Sequence, residues 1–168
     1  MRRIIVAILE IVVCFLLQNV LFSNLAIGGI VPNMLLMLTV ATAYMQGKVK
    51  GMYMGLICGL LTDLMGGGLL GLYGIVYMVI GYVNGIAYKI YYRDDYVMPV
   101  LLIGISNFVS GFMVYVFEFL LKSKLNVFFY IARIILPETL YTVLISVVLY
   151  KLLNAIHIRL ERWINKEA

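Results

Sequence analysis

The sequence predicts an all-α integral membrane protein, folded as one six-transmembrane-helix bundle over residues 1–168. Three observations lead there. Apolar residues make up 64% of the chain and charged residues only 12%, against about 45–50% and about 25% in soluble domains. The apolar residues fall into six runs, separated by short polar or glycine-rich breaks, and spans of about 20 residues each fill most of such a chain. The basic residues are shared unequally between alternate breaks. This composition excludes a soluble enzyme, a disordered chain and a secreted disulfide scaffold.

The first run, 4–22, follows Arg2 and Arg3. It has the basic lead of a signal peptide but is longer than a usual h-region. The residues after it, Ser23, Asn24, Leu25 and Ala26, offer no A-x-A site, so it reads as an uncleaved span. The second run, 31–46, comes after Gly28 and Gly29, with Pro32 expected in its first turn, where a missing N–H costs nothing. The short third run, 51–65, ends at Gly66, Gly67 and Gly68, and the fourth, 69–88, follows at once as the second arm of a tight hairpin. Arg93, Asp94 and Asp95 form a polar loop before the fifth run, 98–121, which Lys122, Ser123 and Lys124 close. The last stretch contains Arg133, Pro137 and Glu138, and divides into an interfacial segment, 126–136, and a span, 137–153. The tail, 154–168, suits a cytosolic amphipathic helix on the membrane surface. Arg159, Arg162 and Lys166 would face the headgroups, with Trp163 anchored at the interface.

Orientation follows from the basic residues. With the N-terminus inside and six alternating spans, the inner segments hold Arg2, Arg3, Lys48, Lys50, Lys89, Arg93, Lys151, Arg159, Arg162 and Lys166. The outer segments hold only Lys122, Lys124 and Arg133. The asymmetry places both termini in the cytoplasm.

The clearest periodic feature is a stripe of glycines. Gly47, Gly51, Gly55 and Gly59 recur every four residues, and Asp63 takes the next step. Residues so spaced share one helix face, and a glycine face lets another backbone approach closely, as in small-xxx-small packing. The seam serves either packing within the bundle or docking of a partner's helix. Gly67 and Gly71, then Gly81 and Gly85, repeat the spacing. Asp63 could also cap the start of the fourth helix.

Charged residues in spans are expensive and mark sites. Glu10, Asp63, Glu118, Arg133 and Glu138 are such residues. Pro137 frees a carbonyl one turn earlier, so Arg133, Pro137 and Glu138, with Gln18 and Asn19, are candidate lining for an outward cavity. An interfacial helix that turns at Pro137 accounts for the same residues without a ligand.

Catalytic and metal chemistry have little to work with. His157 is the single histidine, and Cys14 and Cys58 both lie in apolar runs, where small buried residues are the ordinary reading. No G-x-x-x-x-G-K-[ST] phosphate loop occurs. No cofactor is expected.

Leu17-Gln18-Asn19, Pro32-Asn33, the Gly47 to Asp63 stripe, Leu70-Gly71, Gly81-Tyr82 with Gly85, and Pro137-Glu138 with Tyr141 follow one another along the chain. As an ordered set over residues 4–153 they resemble the MreD family of rod-shape membrane proteins. Asn33 stands where the family pattern leads one to expect an acidic residue, which retains the helix-opening role. The resemblance implies a non-enzymatic membrane subunit of the bacterial rod-shape (elongation) complex. It implies partners as well: a bitopic MreC-like protein, the actin-like MreB, RodZ, RodA and a class B penicillin-binding protein. The family is also similar in fold to substrate-binding S components of energy-coupling-factor vitamin transporters, which supplies the alternative function. S components often carry an Ala-x3-Ala stripe on the first helix, whereas here Ala7 is followed by Ile11.

Overall fold

The computed structural model describes residues 2–21, 24, 29–66, 71–90, 96–122 and 127–166, and nearly all of them are helical. Six main helices occur among these residues: α1 (Arg2–Leu16), α2 (Met34–Gln46), α3 (Lys48–Gly66), α4 (Leu72–Asn84), α5 (Val97–Lys122) and α6 (Leu136–Lys166). A π turn, Leu17–Leu21, prolongs α1, and a 3-10 segment, Gly85–Ile90, prolongs α4. One helical turn, Val127–Tyr130, and a second π turn, Ile131–Ile135, lead into α6.

Helix α2 is the axis of the bundle. Every residue from Met34 to Met45 is buried, and the helix packs against all five others. Its boundaries follow from two residues. The Asn33 side chain accepts the Leu36 N–H at 3.1 Å, an N-cap that sets the start of the helix. Pro32 therefore stands ahead of α2 rather than in its first turn. At the other end Gly47 adopts φ +92° and ψ 178°, a region open essentially to glycine alone. That one residue reverses the chain, so α3 begins at Lys48, earlier than the run of 51–65 suggests.

The last helix differs most from the sequence expectation. Pro137 does not break it. The Leu136 N–H reaches back five residues to the Ile131 carbonyl, so the widened π turn takes up the strain that a proline ring places on the preceding turn. The segment expected as separate and interfacial, 126–136, is thus helically continuous with α6 from Val127 on. The tail is also continuous with α6 as far as Lys166, since no Gly or Pro interrupts residues 138–166.

Among the described residues two helical stretches, Val97–Phe117 and Phe128–Arg159, are long and apolar enough to cross a membrane, and Ile4–Val20 and Met34–Gln46 are shorter apolar helices. Aliphatic and aromatic side chains are exposed on the outside of the bundle: on α6, Leu144 and Val148 are 72% and 70% exposed. Gly67, Gly68, Arg93, Asp94, Asp95, Ser123 and Lys124 lie outside the described residues, as do the side chains of Glu118, Lys122, Arg162, Trp163 and Lys166.

Candidate functional site

The glycine stripe of α3 lies against α4 of the same chain. A Cβ on Gly55 would collide with the Tyr77 carbonyl, and one on Gly59 with the Tyr73 carbonyl. A Cβ on Gly51 would stand 2.7 Å from the Gly81 carbonyl oxygen. Each step of four along α3 is met by a step of four back along α4. The relation is mutual, since a Cβ on Gly81 would strike the Gly51 carbonyl and one on Gly85 the Lys48 backbone. Backbones this close exchange dispersion and Cα–H···O contacts that larger side chains would prevent. Gly47 makes the turn into the seam: a Cβ there would meet the Tyr88 ring at 3.8 Å, and a Cβ on Gly85 would stand 2.9 Å from the Gly47 carbonyl carbon.

Asp63 ends the stripe and is 4% exposed. Its two carboxylate oxygens accept the N–H of Tyr73 at 3.0 Å and of Gly74 at 2.9 Å. These are orphan donors in the first turn of α4, whose own cap position is Gly71, without a side chain. Asp63 thus caps a neighbouring helix, where its charge also meets the positive end of the helix dipole.

A second group of polar residues gathers where α2 begins. The Asn33 side-chain amide donates to the Tyr77 hydroxyl at 2.6 Å, and its backbone N–H donates to Thr142 Oγ1 at 3.1 Å. The Glu138 carboxyl lies within hydrogen-bonding reach of the Asn33 and Asn107 amides. The Asn107 amide donates to Thr139 Oγ1 at 3.2 Å. Thr62 lies within hydrogen-bonding reach of the Tyr77 hydroxyl. Gln18 Oε1 accepts the Leu35 N–H at 3.1 Å, in the first turn of α2. The set joins α2 to α3, α4, α5, α6 and the end of α1. Asn107 Oδ1 is buried there without a hydrogen-bond partner among the described residues.

Of the five residues grouped as cavity lining, Gln18 and Glu138 meet this network through the first turn of α2. Asn19 turns back to its own helix, donating to the Phe15 carbonyl at 2.9 Å. Pro137 is part-buried at the start of α6, and Arg133 is exposed, 5.5 Å over the Phe129 ring. Arg159, of the tail, is exposed. Cys14 and Cys58 are buried and free. Among the described residues no three His, Cys, Asp or Glu side chains come together as a metal site.

The model of one family, the rod shape-determining protein MreD, matches residues 1–157. The chain belongs to the MreD family. It is thus a member of a family of rod shape-determining membrane proteins. No curated protein and no solved structure matches it.

Within this MreD-family bundle, Asn33, Thr62, Tyr77, Asn107, Thr139 and Thr142 form a network that sequence reading of charged residues alone misses. The available signal is uncharged: each is a hydrogen-bonding side chain inside an apolar run. The structure also gives a reason for Asn33 where an acid is expected. A carboxylate could cap α2, but it could not donate to Tyr77 or to Glu138.

Proposed function

We propose that this chain is a non-enzymatic, multi-pass subunit of the bacterial rod-shape complex, which binds an MreC-like bitopic protein and links cell-wall synthesis to the cytoskeleton. MreB, RodZ, RodA and a class B penicillin-binding protein are its further neighbours in this reading. The family match over residues 1–157 carries it. Two structural features support a binding role over a chemical one. The buried polar groups described above are spent on holding helix to helix. The outer faces of α1, α5 and α6 are left apolar, available to lipid and to partner helices.

The bundle spans the cytoplasmic membrane six times with both termini inside, on this reading. The basic residues favour that orientation, and the polar network around Asn33 then lies in the outer half.

Depletion in a rod-shaped host tests the proposal. Rounded cells with dispersed wall synthesis are expected, together with loss of the MreC-like protein from pull-downs. Normal rods after depletion, with no MreC-like protein in the pull-down before it, would refute the role.

A further inference from the structure

Between α1 and α3, over one flank of α2, lies a cavity of about 290 Å³. Its α1 wall is Ile4, Ala7, Ile8 and Ile11, and the facing wall on α3 includes Met54 and Ile57. Both α1 and α3 run antiparallel to α2. Ile4 and Lys50 therefore share one end of the slot, and Ile11 and Ile57 the other, about 10 Å away by the helical rise. Polarity is graded along that length. Gln46 and Lys50 stand at the first end, and the far end is aliphatic.

We propose that this slot holds one acyl chain of an anionic bilayer phospholipid, whose phosphate sits on Lys50. The proposal rests on the membrane-spanning reading above. On that reading the Lys50 end lies at the cytoplasmic interface, the depth at which headgroups meet the protein. Lys50 is exposed and has no acidic partner among the described residues. Its neighbour Lys48 is already engaged, 5.7 Å over the Tyr82 ring. A phosphate supplies the charge that Lys50 lacks, and the Gln46 amide can donate beside it.

An apolar slot with a cation at its interfacial end matches the layout of a lipid, an acyl chain below a charged headgroup. An extended alkyl chain is slim enough to enter. The small side chain of Ala7 keeps the α1 wall open.

Native mass spectrometry of the full chain, extracted in mild detergent, tests this. We expect one retained phospholipid, identified by fragmentation as anionic. Lys50→Glu should lose it, and so should Ala7→Phe, which fills the slot. Lys151→Glu, a charge reversal at an exposed lysine elsewhere on the bundle, should keep it. A photo-crosslinking residue placed at Ile8 should label lipid. No retained lipid, a zwitterionic one, retention by both Lys50→Glu and Ala7→Phe, or a protein rather than lipid crosslinked from Ile8 would overturn the proposal and leave the rod-shape role standing. Recovery of the chain without detergent would overturn the membrane reading and the lipid site together.

Discussion

Asp63 and Gly74 lie eleven residues apart, and the carboxylate of the first accepts the backbone N–H of the second at 2.9 Å. The same side chain takes the Tyr73 N–H at 3.0 Å. A residue at the end of one helix thus closes the start of the next. Asp63→Ala leaves both donors unpaired in a buried site, at a cost of about 2–4 kcal/mol in total. Asp63→Asn keeps one acceptor and should cost about half as much. Cys14 and Cys58 are buried and free, so a thiol-reactive dye reports unfolding in detergent. Equal melting of Asp63→Ala and the unchanged chain would count against the cap.

The α3–α4 seam should be intolerant even of alanine. In Gly55→Ala and Gly59→Ala the new methyl meets a backbone carbonyl of α4, which has no rotamer to move into. Overpacking of this kind costs about 1–3 kcal/mol or more. Gly111→Ala is the contrast, because its Cβ would stand 3.1 Å from the Ile135 side chain, which can shift. Melting curves of the three variants should rank Gly111→Ala as the mildest. Gly55→Leu and Gly59→Leu should accumulate poorly; folded proteins that keep every partner would argue against a close seam.

Glu138 offers a test of the polar network. Glu138→Gln can still accept from Asn33, and its amide can donate to Asn107 Oδ1, which is buried without a partner. Its stability should stay within about 1 kcal/mol of the parent. Glu138→Ala removes the group that faces both Asn33 and Asn107, and should cost about 2–4 kcal/mol. Equal stability of the two variants would show that the carboxyl position does not bind the helices together.

Topology is checked by reporter fusions. Fusions at Gly67 and Ser123 should report the outside, and fusions at Lys48 and Asp94 the cytoplasm. A cytoplasmic signal at Ser123 together with an outside signal at Asp94 would show that the 51–65 and 69–88 hairpin does not cross as two spans.

Much of the α3–α4 relationship is legible in the sequence, because a four-residue period of glycine has few other causes. The helix that fills the seam is less so. The stripe accommodates any close backbone, and only the matching spacing of Gly81 and Gly85 points to α4. The reach of Asp63 is readable for a similar reason, since an acid beside a glycine-rich break has helix N–H groups within range. The network around Asn33 is hidden because its members are scattered from residue 33 to residue 142 and each, alone, is an ordinary Asn, Thr or Tyr. Pro137 misleads for a local reason. A proline argues for a break, but the π turn ahead of it, invisible in the residue pattern, lets the helix pass through.

The turn at Gly47 carries a consequence for how the chain enters a bilayer. With one residue between α2 and α3, the six-span reading has the insertion machinery receive them as a pair. Helix α2 spans only 13 residues, with Asn33, Thr39 and Thr42 among its polar groups. Its final surroundings are protein on all sides; Thr39 bonds within the helix, to the Leu35 carbonyl, but Asn33 meets Tyr77 and Thr142 only after α4 has closed on α3 and α6 has arrived. Assembly is therefore ordered from the seam inward, and a lesion at Gly55 or Gly59 would surface as a nascent chain that is inserted and then degraded, rather than as a mature protein with a weakened grip on its neighbours.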